Sequence, residues 1–361
     1  MKKIKLILIL CVLIISMLFS ANNQKDCLVG VKTYEKTGPF EKVFEKWKEL
    51  GINSAFASVK LNRNPEFRKY ADSLGIKRFV IIPTFLGIDT LKNDEDLYAI
   101  TKKGEKASQE WVNFVCPSRD SYRKDKIKYI KKVLKQTDPQ GLSIDFIRHF
   151  VFWEKVYPNH TLDSIPNTCF CDSCMAQLQQ ETQIDIPENM DGPHERYTWI
   201  KNNCYQKWVN WKCGLITSMV AEIVKEAQKI DPDILINVHT LPWRQDDYSG
   251  AIRKVAGQDI GELSQYADYL SPMTYTHMLK RSPKWVTKVV QDYSKESDAK
   301  LIPSIQVNKE YLSKALPVKD FKKMLDYALG EKASGVVLWS WEALQKSPKK
   351  VRIIKNKSSI H

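Results

Sequence analysis

The sequence predicts an α/β fold, specifically a (β/α)8 TIM barrel with long insertions after strands 3 and 4. Three observations carry this expectation. Eight short β-rich runs alternate with amphipathic segments along the chain. The third run, "IKRFVIIPTF", is apolar throughout, as a strand covered on both faces must be. The glycine-rich phosphate turn that usually follows the first strand of a doubly wound open sheet is missing.

The units follow in order. "CLVGVKTY" (27–34) is the first strand, and the helical "FEKVFEKWKELG" stops on Gly51, a residue suited to a helix C-terminus. "INSAFASV" (52–59) precedes the helix "NPEFRKYADSLG". After the third strand (76–85) come a polar insertion and the helix "SYRKDKIKYIKKVLKQT". "GLSIDFIRHF" (141–150) is the fourth strand, followed by a second insertion and a long helix from Tyr205 that Asp231-Pro232 terminates. "ILINVHT", "DYLSPMTY", "KLIPSIQV" and "SGVVLWSW" complete the strands, separated by "DIGELSQYA", "SPKWVTKVVQDYS" and "VKDFKKMLDYALG", and "SPKKVRIIKNK" closes the chain. No linker or shift of composition divides residues 22–361, which reads as a single barrel domain.

Ahead of it, Lys2, Lys3 and Lys5 precede an apolar run from Leu6 to Phe19 broken only by Ser16, the order of a secretory signal peptide over residues 1–21. The run falls short of the roughly 20 residues of a membrane span. Export to a periplasmic or extracellular space is expected, with an uncleaved N-terminal membrane anchor as the alternative. The formal charge is +14, but the lysines scatter along the chain and no nucleic-acid motif accompanies them, so no nucleic-acid partner is expected. No feature specifies an oligomeric state.

Active sites of such barrels form at the strand C-termini and the loops that follow. A carboxylate at the mouth of an apolar strand needs a compensating cation or donor. Asp145 ends the core of the fourth run, with Arg148 in the same turn and Glu154 just downstream beside Trp153. Glycoside hydrolysis needs two carboxyl groups, and an aromatic neighbour raises the pKa of the one that donates a proton. Asp145 is therefore expected to be the ionised member, held so by Arg148, and Glu154 the acid. Glu342, after "LWSW", is an alternative donor. Substrate contacts are expected from Arg148, Trp153, His239, Tyr275, His277, Gln306, Trp339 and Trp341, all at predicted strand ends or rim loops, and Trp243 shares that rim. Indole faces suit the C–H faces of sugars, so a carbohydrate is the expected partner. Individually, each Trp is equally explained as core, and Asp145 with Arg148 as a pair closing the barrel end.

Cys169, Cys171 and Cys174 in "CFCDSC" put three thiols within one tight turn, and Cys116 lies in the preceding insertion. The spacing suits structural zinc, closed by four sulfurs and so not hydrolytic. Disulfides are the alternative in an exported chain, although removal of the signal segment leaves seven cysteines, which cannot all pair internally.

"CPSRDSYR", then "CFCDSC" and a long helix with "WVNW", resembles the zinc-binding segment of family 42 β-galactosidases, which are retaining barrel enzymes. That resemblance implies Cys116, Cys169, Cys171 and Cys174 as metal ligands. The chain departs from the family where its catalytic glutamates stand: "IDFIR" replaces the Asn-Glu pair of the fourth strand and "PSIQV" the acid of the seventh. The Asp-x-x-Arg fourth strand with "SPMTY" and "LWSW" is more similar to little-characterised (β/α)8 barrel proteins assigned to the glycoside hydrolases.

The leading expectation is an exported glycoside hydrolase acting on an oligo- or polysaccharide. A barrel that binds carbohydrate without chemistry is the alternative, because Gln306 stands where many barrel glycosidases carry an acid. A metal-dependent hydrolase is disfavoured: His149, His160, His194, His239 and His277 show no H-x-x-x-H spacing.

Overall fold

A computed structural model describes residues 27–187 and 189–358, and the expected signal segment lies outside the described residues. Among the described residues no helix is long and apolar enough to cross a membrane. One parallel sheet contains β1 (Leu28–Thr33), β2 (Ser54–Ser58), β3 (Lys77–Pro83), β4 (Gly141–Asp145), β5 (Leu235–Thr240), β6 (Tyr269–Pro272), β7 in two pieces (Lys300–Leu301 and Ser304–Gln306) and β8 (Gly335–Trp339). The two pieces of β7 are the two ends of this sheet: the first pairs with β6 and the second with β8. Pro303, which has no N–H to donate, separates them. The ladder continues across the break, Ile302 N donating to Leu270 O and Val337 N to Pro303 O, both at 3.0 Å. The sheet thus curls until its ends meet in one stretch of chain.

Outside it lie α1 (Phe40–Glu49), α2 (Pro65–Ser73), α3 (Asp120–Thr137), α4 (Tyr205–Gln228), α5 (Ile260–Ser264), α6 (Trp285–Tyr293), α7 (Val318–Ala328) and α8 (Pro348–Ser358). The sequence explains where they start and what they bury. Asn64 caps α2 by accepting from the N–H groups of Glu66 and Phe67, with Pro65 in the first turn. Phe40, Phe44 and Trp47 recur at helical spacing on α1 and are all buried.

Inside the barrel, Phe56 and Phe79 stack at 4.5 Å and pack with Leu28, Ile302 and Val337. Gly30 and Gly141 make room for these rings: a Cβ on either would stand 2.6 Å and 2.3 Å from Phe56 and Phe79 respectively. Toward the strand C-termini the interior turns polar with Lys32, Ser143, Asn237, His239 and Ser271, all buried. One expectation is corrected here. The fourth strand ends at Asp145 and not at Phe150, because Phe146 adopts φ 50° while its N–H donates to Asp145 Oδ1 at 2.7 Å. Arg148 therefore lies in the following loop.

Residues 84–119 and 146–204 follow β3 and β4. The first stretch carries a small hairpin (Ser108–Gln109 with Val112–Asn113), and the second holds helices Asp172–Thr182 and Pro193–Asn203.

Candidate active site

A cavity of about 300 Å³ opens over the strand ends. Its walls come from seven places in the chain: Lys32 and Tyr34 of the β1 end, Ile81, Pro83 and Leu86 at the end of β3 and just beyond, Trp111 of the hairpin, and Asp145 at the end of β4 with Phe146, Arg148, Trp153 and Glu154 after it. Met273 and Tyr275 after β6, Tyr311 after β7 and Trp339 of β8 complete it. Convergence of separate strand ends on one opening is what parallel barrels provide for chemistry.

Asp145 is 8% exposed. Burial pushes its carboxyl up, but His239, Lys32, the Phe146 N–H and Arg148 together bring it below the usual carboxylate range. Burial and Lys32 hold His239 down at about 3, so the imidazole is neutral above that pH and Lys32 is the nearer lasting cation. Lys32 is itself buried, which lowers it to about 8, and its Nζ donates to Tyr275 OH at 3.3 Å. The expected Asp145–Arg148 ion pair does not form; Arg148 acts on Asp145 only through its field. Glu154 shows the opposite displacement. Burial pushes it up to about 7 against the pull of Arg148, and the negative Asp145 adds to the rise. Its Oε2 is buried without a partner. Two carboxyl groups on one cavity, displaced in opposite directions, can act as an acid and an ionised partner.

The remaining expected residues divide. Trp153 and Trp339 line the cavity, each packed on Tyr275, with Trp339 stacked on it at 4.1 Å. His239 lies deeper, its Nε2 2.9 Å from Ser143 Oγ. Gln306 is fully buried with its amide engaged: Oε1 accepts from Met278 N, while Nε2 donates to Asn308 O and Ser313 Oγ. Trp341 packs edge-on against Trp47 of α1 and Trp243 against Tyr248, and neither borders the cavity. His277 does not border it either. Glu342 Oε1 accepts from Thr33 Oγ1 at 3.0 Å, Tyr34 N at 2.7 Å and Glu35 N at 3.2 Å, which fixes the turn after β1.

Sequence reasoning missed the cavity's outer aromatic wall. Trp111 and Tyr311 are 38% and 49% exposed; Trp111 packs against Phe146, Phe152 and Tyr311, and Tyr311 stacks on Phe152. Tyr311 lines the cavity with Glu154; burial pushes its phenol up, and the negative charge of Glu154 raises it further. Both rings come from loops, where periodicity gives no direction. Their presence in insertions that must lie over the strand ends is the one signal that points to them.

The four cysteines meet. Sγ atoms of Cys116, Cys169, Cys171 and Cys174 lie within 4.8 Å of one another, all buried. Cys116 stands 3.2 Å from Cys174 and 3.8 Å from Cys171, well beyond the ~2.0 Å of a disulfide. Tetrahedral zinc with Zn–S near 2.3 Å would place sulfurs about 3.8 Å apart. Burial pushes the Cys169 and Cys174 thiols up, while hydrogen bonds from Cys116 and the other two pull Cys171 far down. Four thiolates would coexist here only around a cation, so the donor set fits a divalent metal. Cys116 comes from the stretch after β3 and the other three from the stretch after β4, so such an ion would tie the two together.

No family model matches the chain, and no curated protein does. Among solved structures it is similar to the glycoside hydrolase domain of PgaB (BpsB) from Bordetella bronchiseptica, 11% identical with TM-score 0.67, covering 91% of this chain and 98% of that one. It is also similar to the β-galactosidase of the psychrophilic Marinomonas ef1, 9% identical with TM-score 0.67, covering 92% of this chain and 59% of that one. A catalytic mutant of Gan42B, a GH42 β-galactosidase from G. stearothermophilus, is 11% identical with TM-score 0.61, covering 93% of this chain and 58% of that one. The chain thus spans somewhat more than half the length of these β-galactosidases. At such identities the likeness shows the fold, an α/β barrel-like sheet of the kind glycoside hydrolases use.

Proposed function

We propose that this protein is an exported glycoside hydrolase acting on an oligo- or polysaccharide, with Asp145 and Glu154 as its carboxyl pair. The observation that carries the reading is the opposite displacement of these two groups on one aromatic-walled cavity. Glu154 gives its proton to the glycosidic oxygen as the C1–O bond breaks. Asp145 meets the developing positive charge at C1, either bonding to it or taking a proton from the water that does; retention or inversion of the anomer reports which. Lys32 helps keep Asp145 ionised. The fold likeness to glycoside hydrolases supports this assignment, and Cys116, Cys169, Cys171 and Cys174 would hold a structural zinc that braces the loops and leaves no coordination position for substrate.

A barrel that binds carbohydrate without cleaving it is the second reading, favoured by the fully bonded amide of Gln306 at the β7 end. A reducing-end assay across a glycan panel separates the two. Hydrolysis by the wild type, lost in both Asp145→Asn and Glu154→Gln, is the expected result. Hydrolysis that survives both substitutions rejects the carboxyl pair, and binding without release favours the second reading.

A further inference from the structure

We infer that the cavity receives an acidic sugar, one bearing a carboxylate or a sulfate, and that Arg148 is the group that receives the anion. This rests on the reading above that the cavity takes a carbohydrate, and it adds the substrate's charge.

Arg148 is only 2% exposed and lines the cavity. A buried guanidinium is costly unless an anion and several acceptors surround it. Among the described residues Arg148 forms no ion pair: Asp145 and Glu154 reach it only through their fields, its one hydrogen bond is Nη1 to His149 O at a long 3.3 Å, and Nε is buried without a partner. Its guanidinium packs on two neighbouring rings, 4.6 Å from the centre of Phe114 and 5.4 Å from that of Phe146, which are themselves 6.1 Å apart. A planar fork packed on aromatic rings with its donors little used is the arrangement that accepts a carboxylate or sulfate through two parallel hydrogen bonds.

Charge balance points the same way. Lys32, 1% exposed, borders the same cavity and its Nζ meets only a phenol oxygen. Against these two cations stands one ionised carboxylate, Asp145, since Glu154 must carry its proton to act as acid. One positive charge is left over in a site shielded from water. A neutral sugar would leave it uncompensated, whereas an anionic one neutralises it.

The test is an array of uronic-acid-containing, sulfated and neutral glycans, followed by titration calorimetry on matched acidic and neutral backbones. Anionic glycans are expected to bind at least about tenfold tighter than neutral counterparts. Arg148→Gln is expected to erase that preference, and the carboxylate and sulfate arms identify which anion fits. Equal binding of neutral glycans, retention of no anionic glycan, or a preference that persists in Arg148→Gln and so belongs to the basic surface at large, each overturns the inference. Should Arg148→Gln fail to fold by circular dichroism, Lys32→Gln decides by the same preference. Acidic glycans bound but never cleaved would reject the hydrolase reading alone; neutral glycans cleaved without acidic preference would reject this one alone.

Discussion

The mouth of β4 and the corner between β7 and β8 carry the same kinds of residue, an acid and an aromatic pair at strand ends, yet their polar groups face different surroundings. At the β4 mouth, Glu154 Oε2 and Arg148 Nε are buried without partners, and Lys32 meets one phenol. At the β7–β8 corner, Gln306 makes three hydrogen bonds and one oxygen of Glu342 accepts three, while Glu342 Oε2 is also buried without a partner. Position along a strand nominates both regions, and each keeps an unpartnered carboxyl oxygen. The cavity selects the first, because Glu154, Arg148 and Lys32 border an opening that a ligand can enter and Glu342 does not, and a buried polar group left unsatisfied costs about 1–3 kcal/mol unless a ligand completes it.

The largest expected effect tests that contrast at its centre. Glu154→Gln should lower kcat by about 10²–10⁴-fold, the usual contribution of a positioned general acid. The pH profile carries a second signature. Glu154 sits near 7 and Asp145 below its ordinary value, so the acid form is present below about 7 and is lost above it, while Asp145 stays ionised down to strongly acidic pH. kcat/KM should therefore fall as pH rises through about 7, and this basic limb should vanish in whatever activity Glu154→Gln retains. Stability has the same sign. A carboxyl raised from 4.5 to about 7 on folding binds more protons in the folded state, so its contribution declines as pH rises across that window. Chemical denaturation at pH 5 and pH 7.5 should show this decline in the wild type and a smaller one in Glu154→Gln, since Glu310, also raised to about 7 by burial, keeps its share.

Next in size is the cysteine cluster, where four buried thiols crowd within 4.8 Å of one another. Elemental analysis should find about one zinc per chain, and Cys174→Ser should release it. Loss of a structural metal is expected to cost about 3 kcal/mol or more, a Tm drop on the order of 5–10 °C. Full metal-free stability in the wild type would refute the assignment.

The two regions also differ in how far the sequence discloses them. The strands are legible because parallel strands buried on both faces must be continuous apolar runs, and the Cys-x-Cys-x2-Cys spacing is legible because three thiols in one turn have few other uses. The orientation of side chains past a strand end is not. Trp339 and Trp341, two residues apart, would share a face if β8 continued, but the strand stops at Trp339 and the short helix Trp341–Leu344 turns the second ring into the core beside Trp47. Phe146 likewise ends β4 by a left-handed φ that no alternation pattern reveals, and this moves Arg148 off the strand and away from pairing with Asp145. Trp111 and Tyr311 reach the cavity only through the path of their loops.

A smaller effect sharpens the comparison from the other side. Glu342→Gln removes the charge from three hydrogen bonds that hold the turn after β1 and should destabilise by about 1–3 kcal/mol in denaturant titration. Because Glu342 does not border the cavity, the basic limb near pH 7 should stay in place. A limb displaced by this substitution would transfer the acid role to Glu342.

The smallest expected effect separates aromatic platform from aromatic core. Trp111→Ala removes an exposed ring from the cavity wall and should raise KM about 5–10-fold with kcat little changed, equivalent to about 1–1.4 kcal/mol of lost stacking. Trp341→Phe, by contrast, keeps a ring against Trp47 but loses the indole N–H bond to Thr37 Oγ1 at 3.0 Å. It should lower stability by roughly 1 kcal/mol and leave KM untouched. If the two variants exchanged these outcomes, sugar recognition would belong to the β8 corner, and the cavity would have pointed to the wrong end of the barrel mouth.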